Sequence, residues 1–272
     1  NSYDYFLLSS DYGKVRVRYI HGFLENTSDN VNRYITARGF EWTNQKSIII
    51  GFSETVIYSG ENRPIDIGYL NPMGSHLEIE LNERLNVTGG KNANSAWQIH
   101  LDGLINKRTR LSMNYLFDEF VIDKEQKGEE EKQHGKAYSF RIAYTPILSN
   151  KHILTAYSSF IHVGTPTFRH SLGSNNFVHS GAPIGWYKGS DGQELSIGLN
   201  YFNRDNTIVS FSSGFFQSGE QSVTNRAYKA YEYEDYRNKS FPSGLINETF
   251  YIDTYISYLW EDYFTFSSGL YW

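Results

Sequence analysis

The stretch "FDEF", residues 117–120, sets two carboxylates side by side, Asp118 and Glu119. Facing carboxylates cleave glycosidic bonds, but neighbours on a strand point to opposite faces, so this pair does not form that geometry by itself. Two readings remain: plain rim structure, or hydrogen bonding at a rim to sugar hydroxyls. In "HSGAPIG", 179–185, His179 is followed by Gly181, Pro183 and Gly185. That composition suits a fixed loop folding back over a mouth as well as an ordinary turn-rich loop. His170 and His179 have no recognised metal-ligand spacing, so no metal is expected. Ser and His are plentiful, yet no nucleophile–base constellation is identifiable and G-x-S-x-G is absent. There is no cysteine to supply a nucleophile or a thiolate ligand. No catalytic residue and no cofactor are expected, and the chain reads as a non-enzyme.

Flat rings beside polar groups are the other chemistry on offer. Trp186, Tyr187 and Lys188 lie together. Tyr228, Tyr231, Tyr233 and Tyr236 sit among Glu232, Glu234, Asp235 and Asn238. Sugar rings stack on aromatic faces while amides and carboxylates take their hydroxyls, so such loops suit a polysaccharide surface. They equally suit ordinary solvated loops. "KEQKGEEEKQHGK", 124–136, is charge-dense and reads as a solvated loop only.

The elements that must carry these residues alternate. In "GKVRVRYIHGFLEN", 13–26, Val15, Val17 and Tyr19 share one strand face and Lys14, Arg16 and Arg18 the other. Trp97, Ile99 and Leu101 alternate with Gln98, His100 and Asp102; Phe140 and Ile142 alternate with Ser139 and Arg141; Leu195, Ile197 and Leu199 alternate with Glu194, Ser196 and Gly198. The runs are nearer the membrane-barrel strand length of roughly 9–11 residues than the soluble mode of about 5–6. Twelve spanning strands are predicted, at about 3–9, 13–24, 33–43, 46–57, 94–104, 108–121, 136–146, 150–163, 193–203, 206–217, 247–259 and 263–272. Short turns and long connections alternate strictly between them, the habit of up-and-down barrels. The expected fold is therefore all-β, an antiparallel up-and-down transmembrane β-barrel in one domain over 1–272.

"HLEIEL", 76–81, has a strand-like pattern, but counting it as a spanning strand breaks the alternation. The whole of 58–93 is therefore placed on the long-loop side, with a possible short helix near 71–84 capped by Asn71 and opened by Pro72. The parity of the turns leaves the last strand running outward, so the barrel is expected to be incomplete at its end, and also at its start. No leader is visible at Asn1.

If the apolar set meets acyl chains, Arg16, Arg18, Gln98, His100 and Arg141 line the lumen, with Arg38 less securely assigned because it shares the parity of Phe40 and Tyr34. Ion pairing with Glu41, Glu54 or Asp118 fills such a lumen; recognition of an acidic polymer is the other reading. Aromatics at strand ends, including Tyr12, Tyr19, Phe40, Trp42, Tyr58, Phe120, Tyr144, Phe216 and Trp260, fit the girdles of a membrane barrel. A net charge of −5 with no basic stripe argues against nucleic acid.

Several stretches resemble the capsule-assembly Wzi family of outer-membrane β-barrels: "YGKVRVRYIHGFLEN" (12–26), "NRYITARGFEWTNQKSIIIGFSETVIYSG" (32–60), "IGYLNPMGSHLE" (67–78), "LSMNYLFDEF" (111–120) and "HSGAPIGWYKGSDGQELSIGLNY" (179–201). They occur in family order and span most of residues 10–201, while 217–247 matches no family habit. The resemblance implies an integral protein of the bacterial outer membrane, expected as a monomer in contact with outer-membrane lipid. It also implies attachment of capsular or exopolysaccharide, with the barrel acting as a lectin and not a catalyst. Tyr69, Asn71, Asp118, Glu119, His179, Trp186 and Tyr187 are the candidate polysaccharide contacts. An outer-membrane porin or solute channel is the rival reading.

Overall fold

The computed structural model describes residues 2–27, 30–81, 93–119, 134–232, 240–260 and 264–271. Its strands are β1 (Asp4–Tyr12), β2 (Val15–Phe23), β3 (Val31–Thr43), β4 (Ile48–Glu61), β5 (Ala93–Asn106), β6 (Thr109–Glu119), β7 (Gly135–Leu148) and β8 (His152–Val163). The two-residue strands β9 (Val178–His179) and β10 (Ala182–Pro183) follow, then β11 (Gly192–Asn203), β12 (Thr207–Ser218), β13 (Asn247–Trp260) and β14 (Phe264–Tyr271). Twelve of them form one antiparallel sheet in chain order, β9 and β10 standing apart as a small ribbon. Every strand position expected from the alternation is occupied. Among the described residues β1 and β14 are the sheet's two edges.

Turn chemistry fixes one end of the sheet. Gly13, at φ +68°, makes the two-residue turn between β1 and β2. The Asn44 side-chain oxygen accepts from the backbone N–H groups of Lys46, Ser47 and Ile48 at 2.8–2.9 Å, an Asx turn that satisfies the donors a tight reversal strands. Asn106 and Asn203 do the same for Arg108 and Asp205. The long connections all emerge at the opposite end.

The two faces of the sheet differ as an inside-out sheet requires. Leu195, Ile197 and Leu199 of β11 are 54%, 56% and 46% exposed, while Glu194, Ser196 and Gly198 between them are buried. The registers carry the apolar face across the sheet through Val17, Phe40, Phe52, Ile99 and Tyr115. Apolar side chains turned outward in a continuous band suit acyl chains, not water.

The connection between β4 and β5 is helical where the strand-like pattern had been ambiguous. Helix α1 (Ile67–Leu70) begins at Asp66, whose side chain accepts from the Gly68 N–H at 2.9 Å. Helix α2 (His76–Leu81) follows. The Ser75 hydroxyl accepts from the Glu78 N–H at 3.1 Å, so Ser75 and Glu78 stand at capping-box spacing and local capping wins over the period of two. Asn71 is not the expected N-cap. It closes α1 as C-cap, its N–H donating to the Gly68 carbonyl.

This connection lies on the apolar outer wall and covers it at the loop end. Tyr69 stacks on Tyr58 at 4.5 Å, and Tyr58 stacks on Tyr34 at 5.0 Å. The Tyr19 hydroxyl donates to the Tyr69 carbonyl at 2.7 Å. Val15 and Val17 keep the outward face expected of them, but Tyr19 does not meet acyl chains, because the helical flap buries it. Tyr58 is likewise covered rather than placed in a girdle, and Phe216 is buried beneath Lys188. Tyr12, Phe40, Trp42, Tyr144 and Trp260 are exposed as a girdle needs. Phe120 lies outside the described residues.

Candidate functional site in the lumen

The inner face carries the polar residues expected there. Arg16 pairs with Asp11 at 2.6 Å and lies 3.9 Å from Glu41. His100 meets the same Glu41 at 3.3 Å and lies flat over Gly51, where an added Cβ would stand 2.1 Å from the ring. Arg16, Arg18, Ala37, Ser53 and His100 line one recess. Arg141 rests over the Tyr157 ring at 4.0 Å. Gln98 donates to Asn114 at 2.9 Å, and Asn114 donates to Ser139 at 3.0 Å, a polar ladder across three strands. Arg38 belongs elsewhere. It shares the parity of Phe40 and pairs on the outer wall with Glu54 at 3.1 Å, donating also to the Asn71 carbonyl.

Residues 164–191, between β8 and β11, fold back into the loop end of the lumen. Buried Arg33 on β3 grips this inner loop, donating to the carbonyls of Ser174, Asn176 and Val178 at 2.5, 3.0 and 3.0 Å. Ser59 on β4 donates to Asn175 at 2.7 Å, and Asn94 on β5 donates to the Asn175 carbonyl at 3.2 Å. Asp118 on β6 accepts from the Phe168 N–H. Phe168 and Phe177 then pack on Ile35, Ile57, Ala96, Ala137 and Val163 of the inner wall.

Below this loop is a cavity of about 540 Å³. Gln98, Asn114 and Ser139 form one wall, Leu116 and Ile161 continue it, and Phe168, Ile184, Trp186 and Tyr187 descend from the loop. Both aromatic donors are fixed on one buried carboxylate: Trp186 Nε1 and Tyr187 Oη each lie 3.3 Å from Glu194, which also accepts from Tyr251 at 2.5 Å. The arrangement offers flat rings, a held carboxylate and a ladder of amide and hydroxyl groups around one space.

The candidate residues divide. Trp186, Tyr187 and Gln98 meet at this cavity, and Asp118 holds the loop that roofs it. His179 lies apart, against Glu25, with the Ser2 carbonyl 3.2 Å from its Nε2. Tyr69 and Asn71 are on the outer wall, away from the lumen, and Tyr69 is fully buried there. Glu119 ends β6, with its side chain outside the described residues, as are Tyr233 and Tyr236. Among the described residues no group of three or more His, Cys, Asp or Glu side chains stands together as a metal site. Glu194 and Arg33 were missed as site residues. Glu194 had a signal, a carboxylate on the face opposite Leu195 and Ile197; Arg33, at a strand mouth, had none.

The twelve-strand meander with an apolar outer wall and a polar, partly filled interior decides the class. The fold is that of an outer-membrane β-barrel. Its exposed apolar band is what strands crossing a membrane present to lipid. Wzi, an outer-membrane protein involved in group 1 capsule assembly in Escherichia coli and described as a carbohydrate-binding β-barrel, superposes with a TM-score of 0.67 at 10% identity, over 95% of this chain and 51% of that one. The chain thus spans about half the length of the Wzi chain it matches. The toluene transporter TodX of Pseudomonas putida gives 0.40 at 9% identity, over 96% and 74% of the two chains. The siderophore receptor PirA of Acinetobacter baumannii gives 0.42 at 11%, over 98% and 39%. The last two scores are too low to bear on function. No family model matches the chain, and no curated protein sequence matches it.

Proposed function

We propose that the chain is a non-catalytic, polysaccharide-binding barrel of the Wzi kind that holds capsular or exopolysaccharide at the cell surface. The observation that carries the reading is the site itself: Trp186 and Tyr187 fixed on Glu194 beside the Gln98–Asn114–Ser139 ladder. Ligand cavities run from roughly 300 to 1,000 Å³, and this one, at about 540 Å³, falls inside that range. Likeness to Wzi over almost the whole chain supports the same reading. The sugar stacks on the loop aromatics, and its hydroxyls exchange water for amide and carboxylate oxygens.

The test is retention of the refolded protein on immobilised capsular polysaccharide. Each ring is worth about 1 kcal/mol, so Trp186→Ala with Tyr187→Ala should weaken retention about thirtyfold. Equal retention of the native chain and an unrelated barrel removes the reading. A solute channel is the second reading, favoured by the space left below the inner loop. Steady conductance in a planar bilayer without any glycan retention would select it.

A further inference from the structure

Residues 62–81 have inverted polarity. The side turned to the barrel takes in the segment's charged and polar groups: Arg63, Asp66 and His76 are buried there beside Tyr69 and Ile79, and Tyr69 is bonded through its hydroxyl to His76 at 2.8 Å. The side turned away is mainly apolar, with Ile67 at 69%, Met73 at 84% and Leu77 at 54% exposed and Ile65 beside them, Asn62 and Asn71 being the polar residues exposed among the described side chains. A segment folded for water does the reverse.

Its position explains the inversion. The registers align Tyr19, Arg38, Glu54, Trp97 and Phe117 in one row across β2 to β6, on the face that carries the exposed apolar band. The next row toward the turns is Val17, Phe40, Phe52, Ile99 and Tyr115, open to acyl chains. The flap crosses the first of these rows. Glu54 accepts from the His76 N–H at 3.0 Å and from Trp97 Nε1 at 2.9 Å, and Arg38 reaches the Asn71 carbonyl. An ion pair on the lipid-facing side of a barrel is thereby sealed off, and the cover presents Ile67, Met73 and Leu77 in its place, continuous with the band below.

We infer that the flap of residues 62–81 is a lipid-embedded cover, its apolar side seated among acyl chains of the outer leaflet. Acyl chains are the occupant because the apolar surface of the flap continues a wall already facing them, and because the charge it hides is one that lipid would reject. The flap widens the membrane-facing surface at the loop end and lets Arg38 and Glu54 sit at a depth otherwise closed to them.

The chain has no cysteine, so single nitroxide labels can be placed cleanly on the refolded full chain in lipid bilayers. The variants are Met73→Cys and Leu77→Cys, with Ile99→Cys as the wall reference and Leu245→Cys, in an exposed connection, as the water reference. Collisions with dissolved oxygen and with a water-soluble nickel reagent report the surroundings. Labels at 73 and 77 should lose nickel access to the level of Ile99→Cys and keep its oxygen access. Nickel access matching Leu245→Cys while Ile99→Cys is protected overturns the inference, and so does protection from both reagents, which would mean a protein cover. Nickel access at Ile99→Cys as well would remove the wall from lipid, and the inference with it.

Discussion

Ile57 and Tyr58 are neighbours on β4, point to opposite faces of the sheet, and are both fully buried. In a strand with one wet or one lipid face, one of the two would be open. Here Ile57 packs under the inner loop with Phe168 and Phe177, and Tyr58 is pressed between Tyr34 and Tyr69 of the flap. The loop end of the sheet is a three-layer sandwich: inner loop, strands, flap.

The two layers should respond separately. Tyr58→Ala removes the middle ring of a stack, at a cost of about 3–5 kcal/mol, and should free the flap, read as faster protease cleavage within 62–81. Ile57→Ala costs about 2–5 kcal/mol and should loosen the inner loop, read as a change in Trp186 fluorescence, with flap cleavage unchanged. Identical effects of the two substitutions on both readouts would contradict the sandwich.

Arg33 satisfies three carbonyls of the inner loop from a buried position. Arg33→Lys keeps the charge but loses the planar fork, and Arg33→Ala strands the acceptors, each costing about 1–3 kcal/mol. Both should raise the frequency of conducting openings in planar bilayers, the alanine variant more. Unchanged silence in both would show that Arg33 does not hold the loop.

On the outer wall, Glu54→Leu leaves Arg38 buried without its partner and should destabilise the protein by about 3–5 kcal/mol. The double variant Arg38→Leu with Glu54→Leu should recover much of that loss, measured by urea unfolding from bilayers. Additive losses would mean that the two side chains act independently.

A pH effect follows from Glu25, which lies beyond the end of β2. Burial pushes its carboxyl up, but the Tyr228 hydroxyl and the Arg33 guanidinium outweigh this and hold it below the ordinary value of 4.5. A carboxyl held low when folded contributes stability above the unfolded value and loses it as pH falls through the folded one. Contacts of Glu25 with Arg33 and Tyr228 should therefore weaken only below about pH 4.5. Glu25→Gln should flatten stability across that acid range, followed by unfolding midpoints at successive pH values.

Much of this was legible in the sequence. The period of two placed all twelve spanning strands, because a sheet facing lipid on one side and polar groups on the other writes its faces into every second residue. Keeping "HLEIEL" out of the count was correct, and Ser75 with Glu78 is the local reason. The layers at the loop end were not legible as such. Tyr19 and Arg38 have the parity of lipid-facing residues, and nothing in their own strands says that a distant segment covers them. One trace was present: Val56, Ile57 and Tyr58 break the alternation with three apolar residues in a row, as a strand covered on both faces does. Loop aromatic composition pointed to Trp186 and Tyr187 and strand parity put Gln98 on the inner face, and the fold brings the three to one cavity; Tyr69 is held on the outer wall instead, by partners 11 and 50 residues away.

The carboxylate of Asp191 takes hydrogen bonds from Thr165 and Ser243 and from the Gln221 N–H. Asn176 adds bonds to the carbonyls of Ala227 and Lys229. The two largest described surface connections are thus riveted to each other and, through Arg33, Ser59 and Asn94, to the staves of the wall. A tug on either is shared as shear across many parallel bonds, so neither peels away alone.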